Sequence, residues 1–166
     1  MDWNPTFTQW IGIIELPLET KLNKLANFID QLAEGNNRVS LVGCSAGASA
    51  VLNIFLERRN KINKVVSICG RLRTGKQRGF RSLKTRSKSS PSFAQSVQMF
   101  ESRENLLSEQ DRSRIMTIRA FGDELVPAKT ATLPGAYNVL APTLEHSISI
   151  YMALRVLSKL IVNFLI

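Results

Sequence analysis

Apolar positions recur along this chain in two rhythms. Between Thr20 and Glu34, Leu22, Leu25, Ala26, Ile29, Leu32 and Ala33 return at steps of three and four, with Lys21, Lys24, Asp30 and Gln31 opposite. That spacing predicts an amphipathic helix, and Gly35-Asn36-Asn37 supplies its stop. The runs Ile11–Leu16, Val39–Gly43, Val65–Cys69, Ile115–Phe121 and Tyr137–Leu140 are instead short and apolar, which suits strands buried in a sheet. Pro17 halts the first of them. Ala46–Arg58 is apolar nearly all round, as expected of a helix packed deep in the molecule. A polar helical stretch covers about Pro91–Asp111, and an amphipathic helix interrupted by Arg155 and Lys159 runs from Ser147 to about Phe164. Strands and helices alternate. The predicted fold is therefore α/β, a three-layer sandwich whose mostly parallel sheet has right-handed crossovers and helices on both faces. One domain over residues 1–166, without an internal repeat, is expected.

Composition narrows the class. A chain of 166 residues with 44% hydrophobic content buries about two-thirds of its unfolded surface and builds a core, which excludes wholesale disorder. No stretch of about 20 uninterrupted apolar residues occurs, and Met1-Asp2-Trp3-Asn4-Pro5 has neither the basic nor the apolar region of a signal peptide. A cytoplasmic address is the expectation. Cys44 and Cys69 cannot make a multi-bridge framework, and a single histidine without Cys-x-x-Cys excludes the usual zinc sites. Both cysteines close strands and are expected to stay reduced.

The net charge of +9 is a local property. Eight basic residues and no acidic one lie between Arg71 and Lys88, which leaves the other 148 residues at +1. The segment is rich in Gly, Ser and Thr, with only Leu72, Phe80 and Leu83 to bury. It reads as an exposed, mobile insertion. One role is non-specific contact with anions through Arg71–Lys88; the other is a solvated loop whose charge keeps it soluble.

In a parallel α/β sheet, functional groups collect in the loops at the carboxyl ends of the strands. Three such loops stand out. Gly43-Cys44-Ser45-Ala46-Gly47 is a G-x-S-x-G pentapeptide between an apolar strand and an apolar helix. The bare pattern arises by chance in about one chain in twenty of this length. Its placement is more telling, because a serine on a strained strand-to-helix turn needs glycines on either side to leave room for the backbone. Helix capping is the plainer role for Ser45. Ala48 stands where a Walker loop has its Lys-Ser/Thr, and Gly43 to Gly47 is not the G-x-G-x-x-G spacing, which argues against a nucleotide loop. The second loop, Phe121-Gly-Asp-Glu-Leu-Val-Pro127, offers Asp123; the third, Pro142-Thr-Leu-Glu-His146, contains the only histidine. A buried aspartate holding an imidazole that deprotonates a serine is the minimum apparatus for acyl transfer at neutral pH.

Together these loops resemble the α/β-hydrolase family from Val39 to the end of the chain. The resemblance implies a catalytic triad with Ser45 on the nucleophile elbow, Asp123 as the acid after the family's seventh strand and His146 as the histidine before the final helix. Glu124 and Glu145 are neighbouring carboxylates, and Asp123 holds the motif position. The family often carries a lid where the basic insertion, at about residues 70–112, falls. The implied activity is serine hydrolysis of a carboxylic ester or related acyl bond on a small-molecule acyl substrate, with no cofactor. The alternative is a non-catalytic or truncated α/β-hydrolase-like protein with a basic anion-binding surface.

The departure from the family lies at the amino end. Three further strands normally come first, and the loop after the third supplies a backbone N–H to the oxyanion hole. Ile11–Leu16 looks like the family's fourth strand. Either the reading frame is a fragment or starts late, or Ile11–Leu16 pairs with the elbow strand. The Ala46 N–H is one expected oxyanion donor, and in the second arrangement the Leu18 N–H is the other, since Pro17 has none. Weak activity, and a homodimer through an open sheet edge, are expected from the missing strands.

Overall fold

The computed structural model describes residues 16–166; all of the expected strand Ile11–Leu16 except Leu16 lies outside the described residues. Pro17 starts helix α1 (Leu18–Leu32), which buries Leu18, Leu22, Ala26 and Ile29 at the predicted spacing. Lys21, expected on the polar side, is buried as well, its Nζ donating to Ser92 Oγ at 2.8 Å. A 3₁₀ turn over Glu34–Asn36, with Gly35 at φ +70°, reverses the chain into strand β1 (Val39–Cys44).

Strands β1, β2 (Ile62–Ile68), β3 (Ile115–Ala120) and β4 (Tyr137–Ala141) form one parallel sheet in the order 1-2-3-4. Successive side chains of a strand point to opposite faces, and each face here has its own core. Val65 and Ile115 join the cluster built by α1, α2 (Gly47–Glu57) and α4 (Pro91–Arg103). Val66 and Met116, the next residue of each strand, join Ala153 of α7 (His146–Arg155) and Ile161 of α8 (Ser158–Leu165) on the other face. This is the predicted three-layer α/β sandwich. Helix α2, flanked by both α1 and α4, buries Ala48 through Leu56 without interruption, which explains its all-round apolar sequence.

Two predicted helices are broken. The stretch expected over Pro91–Asp111 divides into α4, a 3₁₀ turn at Glu104–Leu106 and α5 (Glu109–Ser113). Glu104 is held by Arg73 at 2.6 Å and 2.7 Å, while Ser108 and Asp111 form a capping box that starts a new helix. The final helix bends by 64° between α7 and α8, where Ser158 Oγ donates to the Arg155 carbonyl at 3.0 Å. Among the described residues no single helix is long and apolar enough to cross a membrane; α7 and α8 reach that length only together, across the bend. Two short helices went unpredicted, α3 (Leu83–Arg86) in the basic segment and α6 (Ala128–Ala131) after the Asp123 loop.

Candidate active site

The carboxyl edge of the sheet receives the loops after β1, β3 and β4. After β1 the chain turns sharply into α2, and Ser45 sits at φ +50°, a left-handed conformation that L-residues with a side chain seldom adopt. Its N–H donates to the Ile68 carbonyl at 2.9 Å, and its carbonyl accepts from Ala48 N–H at 3.2 Å, so backbone bonds on both sides hold the turn. A Cβ on Gly43 would lie 2.6 Å from Val51 Cγ2, 2.7 Å from the Gly47 carbonyl oxygen and 2.9 Å from Ala48 Cα. Gly47 is different: a Cβ there would meet nothing within 4 Å. The room expected from both glycines is needed at Gly43 alone. Gly70, beyond β2, is the glycine that the motif reading missed, since a Cβ on it would overlap Ala48 Cβ and approach the Ser45 carbonyl at 3.3 Å.

The other two loops deliver a continuous chain of hydrogen bonds. His146 Nε2 lies 2.9 Å from Ser45 Oγ and His146 Nδ1 lies 2.8 Å from Asp123 Oδ2. Asp123 and His146 are only 6% and 5% exposed, so water competes little for these bonds. Asp123 Oδ1 accepts from the N–H groups of Leu125 and Val126, each at 2.8 Å. Burial pushes the Asp123 carboxyl up, but the bonds from His146 and from these two N–H groups, together with the attraction of the imidazole, outweigh it and hold the group below its ordinary 3.8. Asp123 is therefore ionised at neutral pH. The neighbouring carboxylates do other work. Glu124 Oε2 accepts the backbone N–H of His146 at 2.9 Å, and Glu145 caps α7 by accepting from Ser147 and Ile148 N–H.

Beside Ser45 opens a cleft of about 170 Å³ lined by Ala46, Arg71, Arg86, Phe93, Leu125 and Val126, among others. The Ala46 N–H, at the N-cap of α2, donates to no acceptor among the described residues. Leu18 does not line this cleft. Pro17 begins α1 directly, so Leu18 opens that helix with its side chain in the core and does not form a loop over the elbow.

No protein-family model matches the sequence, and no curated protein matches it. Solved structures do resemble it. A metagenome-derived lipolytic enzyme superposes with a TM-score of 0.63 at 11% identity, covering 95% of this chain and 77% of its own. A lipase-esterase related protein from Clostridium acetobutylicum gives 0.59 at 15% identity over 89% and 75%. The enol-lactonase from Burkholderia xenovorans gives 0.57 at 15% identity over 90% and 73%. The chain has the α/β-hydrolase fold.

Within that fold the basic segment follows β2, and its packing corrects the expectation of an exposed insertion in part, at Arg71, Leu72, Leu83 and Ser87. Arg71 is 1% exposed, with its guanidinium donating to the carbonyls of Arg73, Thr74 and Arg81. Arg73 pairs with Glu104, and Arg81 donates to the Asp123 carbonyl at 2.7 Å, linking the segment to the Asp123 loop. Leu72, Leu83 and Ser87 are buried too. A cation with three oriented carbonyl acceptors needs no solvent, which is why composition alone misjudged its burial. Lys76, Arg78, Lys84, Arg86 and Lys88 remain exposed.

The two cysteines of the α/β-hydrolase core are free thiols. Burial, with a further push from the Asp123 charge, raises Cys69 to about 12, and burial raises Cys44. Neither is a thiolate at neutral pH, so neither thiol is an activated nucleophile.

Proposed function

We propose that this chain is a serine hydrolase acting on a carboxylic ester or related acyl bond, with Ser45 as nucleophile, His146 as general base and then acid, and Asp123 orienting the imidazole. The observation that carries the reading is the chain from Asp123 Oδ2 through both ring nitrogens of His146 to Ser45 Oγ, in two links of 2.8 Å and 2.9 Å. With Nδ1–H donated to the ionised Asp123, Nε2 has its lone pair directed at the serine hydroxyl. The lipolytic enzyme and the lactonase that share the fold act on ester bonds, which favours the same bond here.

The chemistry follows in two halves. Ser45 Oγ attacks the acyl carbon as its proton passes to Nε2, and the imidazolium is stabilised by Asp123. The developing oxyanion takes a hydrogen bond from the Ala46 N–H at the positive end of α2. Collapse of the tetrahedral intermediate expels the alcohol, which leaves with the proton from Nε2, and the acyl group stays on Ser45. Water then enters, gives its proton to Nε2 and attacks the acyl carbon; Ser45 departs with that proton, and the carboxylic acid is released.

An activated fluorophosphonate tests the reading. It should label Ser45, Ser45→Ala should take no label, and His146→Ala should lose labelling because the hydroxyl has lost its base. An unlabelled wild-type protein would leave the non-catalytic alternative in its place.

A further inference from the structure

The cleft beside Ser45 has an unbalanced charge. Among the described residues its cations are Arg71 and Arg86, and no carboxylate lines it. Asp123 is engaged by His146, Leu125 and Val126, and Glu124 by the His146 N–H. Arg71 is buried against carbonyl oxygens alone. Burial pulls its proton affinity down, the Glu101 charge offsets that only in part, and the Arg81 charge adds to it. Arg86 is exposed at the end of α3, where its backbone N–H donates to the Ser82 carbonyl at 3.1 Å, and its guanidinium makes no hydrogen bond or ion pair among the described residues. Phe93, Leu125 and Val126 add apolar wall, and Ser90 a neutral polar one. Two cations and no lining carboxylate among the described residues, in a small, partly apolar cleft, select for an anion there.

We propose that the substrate is an acidic ester, one whose acyl chain ends in a carboxylate held by Arg86 while the buried Arg71 supplies a fixed field behind it. This rests on the serine-hydrolase reading of the same cleft. The division of labour follows from the bonds: Arg71 is locked by three carbonyls and cannot swing, whereas the Arg86 guanidinium has its donors free for a bidentate carboxylate.

The test compares two esters of the same shape. One is the mono-para-nitrophenyl ester of adipic acid; the other is its neutral isostere, with an isopropyl group in place of the carboxylate. After subtraction of the rate without protein, kcat/KM at low ionic strength should favour the acidic ester by at least about ten-fold, as expected for one charge-assisted hydrogen bond. Arg86→Gln should bring the ratio toward one, Arg86→Lys should keep part of it, and added salt should narrow it. A ratio of one or less in the wild type, or one unmoved by Arg86→Gln, overturns the acidic-substrate assignment and leaves the hydrolase reading intact. Calorimetric binding of adipate provides the converse arm. If Ser45 takes no phosphonate and neither ester turns over, the hydrolase reading fails, yet adipate binding at least ten-fold weaker in Arg86→Gln would still establish the anion site. Equal binding by wild type and variant would dispose of it.

Discussion

Two glycines of one pentapeptide should respond to alanine with opposite signs. At Gly43 an added Cβ meets Val51 Cγ2 at 2.6 Å, the Gly47 carbonyl oxygen at 2.7 Å and Ala48 Cα at 2.9 Å. Two of these three are backbone atoms in the first turn of α2, which is buried from Ala48 to Leu56 and cannot retreat without disturbing the core. Overpacking of this kind costs about 1–3 kcal/mol, which for a chain of this size lowers Tm by about 2–12 °C. At Gly47 the added Cβ meets nothing within 4 Å, and the residue opens α2 without a positive φ. Alanine there restricts the unfolded chain and should stabilise by about 0.4–1 kcal/mol. Urea unfolding and thermal melts of the two variants measure the pair, with phosphonate labelling to follow Ser45. Gly43→Ala should also slow labelling, because the clash falls on the turn that aims the serine. Destabilisation of both variants by similar amounts would refute the reasoning, since it would mean that the elbow needs glycine for a reason other than space.

Asp123→Asn should leave the protein folded and lower turnover on activated esters by about 10⁴, the loss expected when the imidazole is no longer held in its tautomer; unchanged turnover would remove Asp123 from the mechanism. The same variant carries a pH signature. Because the folded carboxyl lies below its ordinary 3.8, its stabilising effect is fully present above that value and is lost as pH falls through the folded value, so the stability gap between wild type and variant should close on acidification. The basic segment makes a separate prediction, since Arg71, Arg73 and Arg81 are engaged internally and five exposed cations remain. Any binding of single-stranded DNA through this segment should follow salt with a log–log slope of about −3.5, against about −5.6 if all eight charges were free.

Elements were legible where local pattern decides them. Val39–Cys44 and Ile115–Ala120 are short apolar runs, α2 is apolar all round, and their alternation implies a parallel sheet whose strand ends bring Ser45, Asp123 and His146 to one edge. That much is contained in periodicity and chain order, because each strand and each loop is a local object. What the folded chain decided is non-local. Three carboxylates stand in two loops, and only the tertiary contacts separate Asp123 on the imidazole from Glu124 on the His146 N–H and Glu145 on the α7 cap. Lys21 is buried through a partner 71 residues away, and Arg71 through the way the segment after β2 wraps its own carbonyls around it. The space at Gly43 and Gly70 is set by where α2 lies against the sheet. A polar group's burial depends on whether partners converge on it, and convergence between distant parts of a chain leaves no period in the sequence.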